Sequence, residues 1–239
     1  MTNKLYKVGT YSDKEEIFLD TKTTNYGATF SKKYDNFLDS YFKVATKTDL
    51  PVDFLVFIMN GIANFGNDFI DSKVLPAIVD ETYVDLFKVT KNSKHKGIGI
   101  PIPLLGSFIQ SFDDSNPPFK YIEGFYLWER YFEMVRIKIF PELPNRKDCL
   151  FFFDNLDDCN DYIKSKNRGL GQIYEVEILE QSKLFKGDMR IIDEIDESIT
   201  YNNLLAETFK YWDKGLSSSP IFEYLFEGKC KLKNLSKIK

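Results

Sequence analysis

Few residues in this chain can do chemistry on their own. Of 239 residues only one is a histidine, His95, and it lies in the lysine-rich stretch Lys91–Lys96. A Ser-His-Asp or Cys-His relay needs an imidazole as its base, so any such mechanism would have to run through His95. The cysteines Cys149, Cys159 and Cys230 contain no Cys-x-x-Cys pair. A structural zinc needs four Cys or His ligands, so no metal site is expected. Cys149 lies in an apolar run and Cys159 in a predicted helix, which marks them as reduced core thiols. The acidic stretch Asp188…Asp193-Glu-Ile-Asp-Glu197 lacks the alternating oxygen ligands and the glycine of a calcium loop, and reads as a solvated helix flank. Gly97-x-Gly99 and Gly169-x-Gly171 lack the third glycine of a dinucleotide loop, and no Gly-Lys-Ser/Thr occurs. Carboxylates, cations and aromatic rings are what remains.

The elements that must position such groups follow from hydrophobic periodicity. Lys4–Val8 and Glu16–Asp20 read as short strands around the polar turn at Tyr11-Ser-Asp-Lys, and part of Phe30–Lys47 as helix. Asp49-Leu-Pro51 has the composition of a helix start. The set Phe54, Leu55, Phe57, Ile58, Ile62 and Phe65 recurs after it at helical spacing. Thr82–Thr90 alternates like a strand. Gly97–Pro103 reads as an edge strand, since its prolines cannot donate to a ladder. Asp113–Pro118 is a break. Phe119–Ile139 carries a helical aromatic stripe that packs into a core, ended by Phe140-Pro-Glu-Leu-Pro. Leu150–Phe153 is a buried strand and Asp154–Ile163 a helix with acidic residues at its positive end. Gln172–Leu179 is a strand, Leu184–Asp188 another short strand or a turn, Ile199–Lys210 a helix and Ile221–Leu225 a short strand.

Composition sets the class. A hydrophobic fraction of 43%, with 22 Phe, 14 Tyr and 2 Trp, fills a large core. With 32 basic and 36 acidic residues the net charge is −4, so a whole-molecule basic field for nucleic acid is absent. The lysines at 229, 231, 233, 237 and 239 are the local exception, read as solubilising side chains, with a phosphate-contacting tail as the alternative. The first residues lack the apolar run of a secretory signal. Pro51–Phe65 is too short to span a bilayer. A cytoplasmic protein without a membrane partner is the expectation.

In the last part of the chain, Glu133-Met-Val-Arg136, Phe140-Pro-Glu-Leu-Pro-Asn-Arg146, Cys149-Leu-Phe-Phe-Phe153, Phe185-Lys-Gly-Asp-Met189 and Tyr211-Trp-Asp-Lys-Gly215…Glu223-Tyr-Leu225 follow in order. That series resembles a bacterial domain family of unknown function with an ADP-ribosyltransferase-like fold. Where the family usually has Pro-Ser-Arg, this chain has Pro144-Asn145-Arg146, which keeps a hydrogen-bonding side chain but not the hydroxyl. The resemblance implies an α+β fold with a split β-sheet core, helices and an N-terminal elaboration. Residues 1–239 would form a single domain, with about 30–118 as a family-specific insertion.

The implied activity is NAD-dependent ADP-ribosyl transfer, with NAD as substrate and a protein or nucleic acid as acceptor. A bacterial toxin or phage-defence effector with an antitoxin or other partner protein is the implied role. Cleavage of the nicotinamide–ribose bond puts positive charge on the ribose, which a carboxylate can steady. By position that carboxylate is Glu223. Tyr6 and Lys7 match the strand that holds the adenosine ribose, with Phe87–Thr90 as the competing segment. Both segments put lysine where the family often has histidine. Arg146 is the candidate for the pyrophosphate, or else it pairs with Glu133 or Glu142 to fix the helix-strand turn. Arg136 reads as structural. Trp212, with Tyr211, would line the nicotinamide pocket by stacking or anchor the core. A non-catalytic interaction protein on the same fold and an NAD glycohydrolase are the alternatives.

Overall fold

Short alternating segments and one long helical stripe give the chain its elements in the computed structural model, which describes residues 4–11, 16–29, 49–115, 124–165, 171–196 and 198–235. The strands are β1 (Leu5–Gly9), β2 (Glu16–Asp20), β3 (Ile78–Val79), β4 (Tyr83–Asp85), β5 (Gly99–Pro101), β6 (Leu150–Phe152), β7 (Gln172–Asp188) and β8 (Phe222–Asn234). The main helices are α1 (Val52–Phe65), α2 (Leu86–Thr90), α3 (Ile102–Ser115), α4 (Gly124–Ile139), α5 (Leu156–Ser165), α6 (Met189–Asp193) and α7 (Tyr201–Trp212). This is an α+β protein. No helix among the described residues is long and apolar enough to cross a membrane. The segment Phe30–Lys47, read as partly helical, lies outside the described residues.

The chain divides into two compact units, one drawn from residues 1–30, 133–194 and 208–239, the other from 31–132 and 195–207. The first is built on β7 and β8, antiparallel partners of 17 and 13 residues. β1 pairs with the start of β7, β6 with the start of β8 and β2 with its end. Two backbone hydrogen bonds of 2.8 Å between Tyr6 and Phe153 join β1 back to the end of β6. They close β1, β7, β8 and β6 into a small barrel.

Side chains alternate across a strand, so one set must fill the barrel. Leu5, Leu150, Phe152, Tyr174, Phe226, Cys230 and Leu232 form that inner core. On the outer face α5 covers a second cluster around Val8, Phe153 and Cys159, with Tyr6 and Tyr162 packed against it. Farther along that outer face Lys229, Lys231 and Lys233 lie opposite Glu180, Glu177 and Glu175. Lys229 reaches Glu180 at 2.6 Å, Lys231 reaches Glu177 at 2.9 Å and Lys233 reaches Glu177 at 3.0 Å. The three lysines are strand residues in cross-strand ion pairs, so among the described residues no run of unpaired cations stands there for a phosphate backbone, and Lys237 and Lys239 lie outside those residues.

In the second unit β3, β4 and β5 form a three-stranded sheet with the proline-bearing β5 at its edge. Helix α1 starts directly after Pro51 and buries Phe54, Leu55, Ile58 and Met59. Asp49 accepts instead from the Asn202 backbone N–H at 2.8 Å. The strand expected over Thr82–Thr90 ends at Asp85. The Asp85 carboxylate caps a helix by accepting from the Phe87 and Lys88 N–H groups, so local capping overrides the alternating pattern. Phe87–Thr90 is therefore helical and is not a first NAD-binding strand.

Candidate functional site

Glu223, Leu225 and Glu227 alternate onto the outer face of the barrel, while Tyr224 and Phe226 turn inward. Glu223 is only 3% exposed. A carboxylate at that depth needs both charge compensation and hydrogen bonds. Arg146 supplies the charge from the turn Arg146–Asp148, which Asn145 caps by accepting from the Lys147 N–H. Arg146 Nη1 donates to Glu223 Oε1 at 2.6 Å and to Tyr211 Oη at 2.7 Å. Tyr211 in turn donates to the same Oε1 at 2.6 Å. A guanidinium, a phenol and a carboxylate thus close a ring of hydrogen bonds.

Aromatic rings wall this ring of bonds. The Arg146 guanidinium lies 5.0 Å from the Phe151 ring centre and 5.4 Å from that of Tyr211. Trp212 is 5.0 Å from both Phe185 and Tyr211. Tyr211 can approach the sheet because Gly187, the register partner of Glu223, has no side chain. A Cβ there would lie 2.6 Å from Tyr211 Cε2 and 2.8 Å from Phe185 Cε1.

Three of the residues read from the sequence therefore meet. Glu223, Arg146 and Trp212 share one cluster, joined through Tyr211. Tyr6 lies on the same outer face of the barrel, packed with Phe153 and Val8. Lys7 alternates to the inner face, where Nζ donates to the Phe151 carbonyl at 3.5 Å. The helix-strand turn is fixed by Arg136, which binds Glu133 through two hydrogen bonds of 2.7 and 2.8 Å. Its Nη1 also donates to the carbonyls of Pro141 and Leu143. That structural role was the alternative for Arg146, which instead serves Glu223.

A second triad, not foreseen, occupies the inner face one residue along. Asp154 Oδ2 accepts from Lys186 Nζ and from Tyr224 Oη, both at 3.0 Å. Lys186 Nζ sits 3.8 Å from the Phe222 ring centre. Burial lowers the Lys186 pKa, but hydrogen bonds to Tyr224 and Asp154 outweigh it and hold the ammonium above its ordinary value. The period-two pattern of Lys186, Asp188 and of Phe222, Tyr224 was the only sequence signal.

Asp188 is not the solvated residue the acidic stretch suggested. It is 1% exposed. It accepts from the backbone N–H groups of Arg190 (3.0 Å), Ile221 (3.0 Å) and Ser217 (2.7 Å). Burial pushes its pKa up, but these bonds prevail and hold it below the ordinary aspartate value. A depressed native pKa adds stability above the unfolded-state value, and that stability is lost as pH falls through the native one. In Asp188→Asn an NH₂ would face the Ser217 N–H, at a cost of about 1–2 kcal/mol near neutral pH. Urea unfolding from pH 7 to pH 3 should show the gap to wild type closing below pH 4. A gap constant over that range would show that Asp188 charge plays no part.

The remaining candidates stay structural. Burial pushes the Cys230 thiol up to about 11 and the Cys159 thiol up to about 12, and raises Cys149 further. Thiolate chemistry is thereby suppressed. His95, in the second unit, is 1% exposed. It lies 2.8 Å from both Asp53 Oδ1 and Thr90 Oγ1, and so ties α1 to α2. No group of three or more metal-ligating side chains occurs among the described residues.

Residues 103–238 match the model of a family described as a protein of unknown function, DUF2441. No curated protein matches the chain.

Proposed function

From the DUF2441 family, to which this chain belongs, we propose an NAD-consuming ADP-ribosyltransferase whose catalytic carboxylate is Glu223. The acceptor is a protein or nucleic acid, in keeping with a toxin or phage-defence role. One observation carries this reading: Glu223 is buried, and its Oε1 accepts hydrogen bonds from Arg146 and Tyr211. A carboxylate fixed in low dielectric acts strongly on charge developing nearby and needs no reorganisation during reaction. As the nicotinamide–ribose bond breaks, its electron pair leaves with nicotinamide and the ribose becomes cationic. Glu223 steadies that cation. The acceptor's nucleophile then closes the new bond at the ribose carbon, and its proton passes to the carboxylate or to water. Arg146 Nη1 and Tyr211 keep Oε1 in place, leaving the carboxylate's other edge for a ribose hydroxyl. An ADP-ribosyltransferase-like arrangement of the sheet belongs to the same proposal.

A second reading, a non-catalytic interaction protein on this scaffold, is favoured by the exposure of Glu223 and Arg146, only 3% and 7%. In that reading their ion pair clips the turn before β6 to β8. Incubating the chain with NAD and cell extract separates the two. Transfer predicts free nicotinamide together with ADP-ribose on a macromolecule, both reduced to background in Glu223→Gln. Free ADP-ribose without a modified macromolecule identifies a glycohydrolase instead. The clip reading gains if NAD produces no calorimetric heat and no nicotinamide.

A further inference from the structure

We propose that Lys88, Lys91 and Lys96, in the second unit, form a docking surface for the phosphate backbone of a nucleic acid. From Leu86 to Phe112 the chain carries no Asp or Glu, yet Lys88, Lys91, Lys94 and Lys96 follow closely on one another there. All four are exposed. Lys94 is paired with Asp196 at 2.5 Å. Lys88, Lys91 and Lys96 enter no ion pair among the described residues. They gather around the end of α2. Lys88 and Lys91 stand three residues apart on its last turn, the spacing of neighbours on a helix surface. The chain then returns, so that Lys96 Nζ lies 5.3 Å from the ring centre of Phe87, the residue before Lys88. The nearby carboxylates have other partners: Asp85 takes the Phe87 and Lys88 backbone N–H groups, and Asp53 takes His95 and Asn92.

The turn holds these cations in place. His95, between Lys94 and Lys96, is buried and bonded to Asp53 and Thr90. Asn92 accepts from the Lys94 N–H at 3.0 Å and donates to Asp53 at 3.1 Å. The N–H groups of His95, Lys96 and Ile98 bind the carbonyls of Asn92, Ser93 and His95. Cations on a preorganised turn lose less entropy on binding. Lys91 adds an independent observation. It closes α2 with φ 60°, a left-handed position that glycine or asparagine ordinarily fills. A lysine there strains the backbone and keeps a charge beside Lys88 that glycine would not. What residues 86–98 lack identifies the partner. None of their large apolar side chains is exposed, so nothing there enters a bilayer. No Trp, Tyr or Arg stands among them to anchor a protein interface. Exposed point charges suit phosphates, which attract ammonium groups without a shaped pocket. The surface stands whether or not Glu223 transfers ADP-ribose.

Fluorescence anisotropy of a labelled mixed-sequence DNA duplex, titrated with the full chain at several salt concentrations, tests this. The logarithm of the binding constant should fall linearly with that of the salt concentration. Three phosphate contacts at about −0.9 each give a slope of about −3. Lys88→Gln and Lys96→Gln should each weaken binding severalfold at low salt and reduce the slope by about one. Lys91→Gly should do the same while leaving the thermal midpoint unchanged or higher, because glycine suits the left-handed position. A Lys91→Gly variant with a lower midpoint and unaltered affinity would mark a merely structural lysine and count against the proposal. Glu223→Gln should bind the duplex like wild type, which keeps this surface separate from the transfer reading. Absence of binding at low salt, or one slope shared by wild type and the three lysine variants, overturns the proposal. So does capture by phosphatidylserine vesicles without binding of the duplex, which would make the partner a membrane.

Discussion

Replacing Glu223 with alanine is expected to remove about 3–5 kcal/mol of stability, the usual cost of leaving a buried partner charge uncompensated. Arg146 would keep its guanidinium in the first unit's interior, and Tyr211 would lose the acceptor for its phenolic proton. The loss should therefore exceed what the small apolar area of one glutamate side chain suggests. Replacing the whole ring of bonds should behave differently. In Arg146→Met combined with Tyr211→Phe and Glu223→Leu none of the three members is left as an uncompensated partner of the other two, and similar volumes are kept. Such replacements are often neutral or stabilising. Urea denaturation of the single and triple variants provides the measurement. If Glu223→Ala costs less than about 1 kcal/mol, the pair is solvated and the buried geometry is wrong. Under the proposed transfer reading, the triple variant also decouples folding from chemistry, since it should be folded and unable to release nicotinamide.

Gly187→Ala should be nearly as damaging, although it adds one methyl group. The added Cβ would lie 2.6 Å from Tyr211 Cε2 and 2.7 Å from Tyr211 Cζ, inside any tolerable contact. Tyr211 cannot simply swing away. It is fully buried, with Phe185 at 5.4 Å and Trp212 at 5.0 Å from its ring centre. Overpacking of this kind costs about 1–3 kcal/mol. Displacing the phenol from a charged partner adds about 1.5–3 kcal/mol. A combined loss of roughly 2.5–6 kcal/mol is expected from those two effects together. Adding Tyr211→Leu to Gly187→Ala should relieve the clash and recover part of the loss. Wild-type stability in Gly187→Ala would mean that Tyr211 does not lie over the strand as described.

How much of this could be read from residues differed by element. Glu16–Asp20 was legible as a strand because a short run of β-branched, aromatic and aliphatic residues, Ile17-Phe18-Leu19, beside a polar turn has few other uses. The end of β8 was less plain. Lysines at 229, 231 and 233 look like a solvated tail, yet Cys230 and Leu232 between them face the barrel. The period-two signal was present but masked by charge. Gln172–Leu179 and Leu184–Asp188 were separated by polar residues, whereas β7 runs through them with irregular register between Ile178 and Lys183. The bulges carry the strand across residues that pattern alone excludes. Asp85 shows the reverse, a single capping side chain turning an alternating segment into helix.

From the amino-acid order alone came the α+β class, most of the strands and helices, and Glu223, Arg146 and Trp212 as residues to watch. Periodicity, ligand type and residue counts are local properties, which is why they survive without coordinates. Which carboxylate is buried, and by whom it is neutralised, was settled only by the tertiary structure. Arg146 and Glu223 are 77 positions apart. Nothing local distinguishes Glu223 from Glu227, or the capping Asp188 from its exposed neighbours. Burial and pairing are set by how β6, β7 and β8 close on one another, and that closure depends on contacts between distant segments.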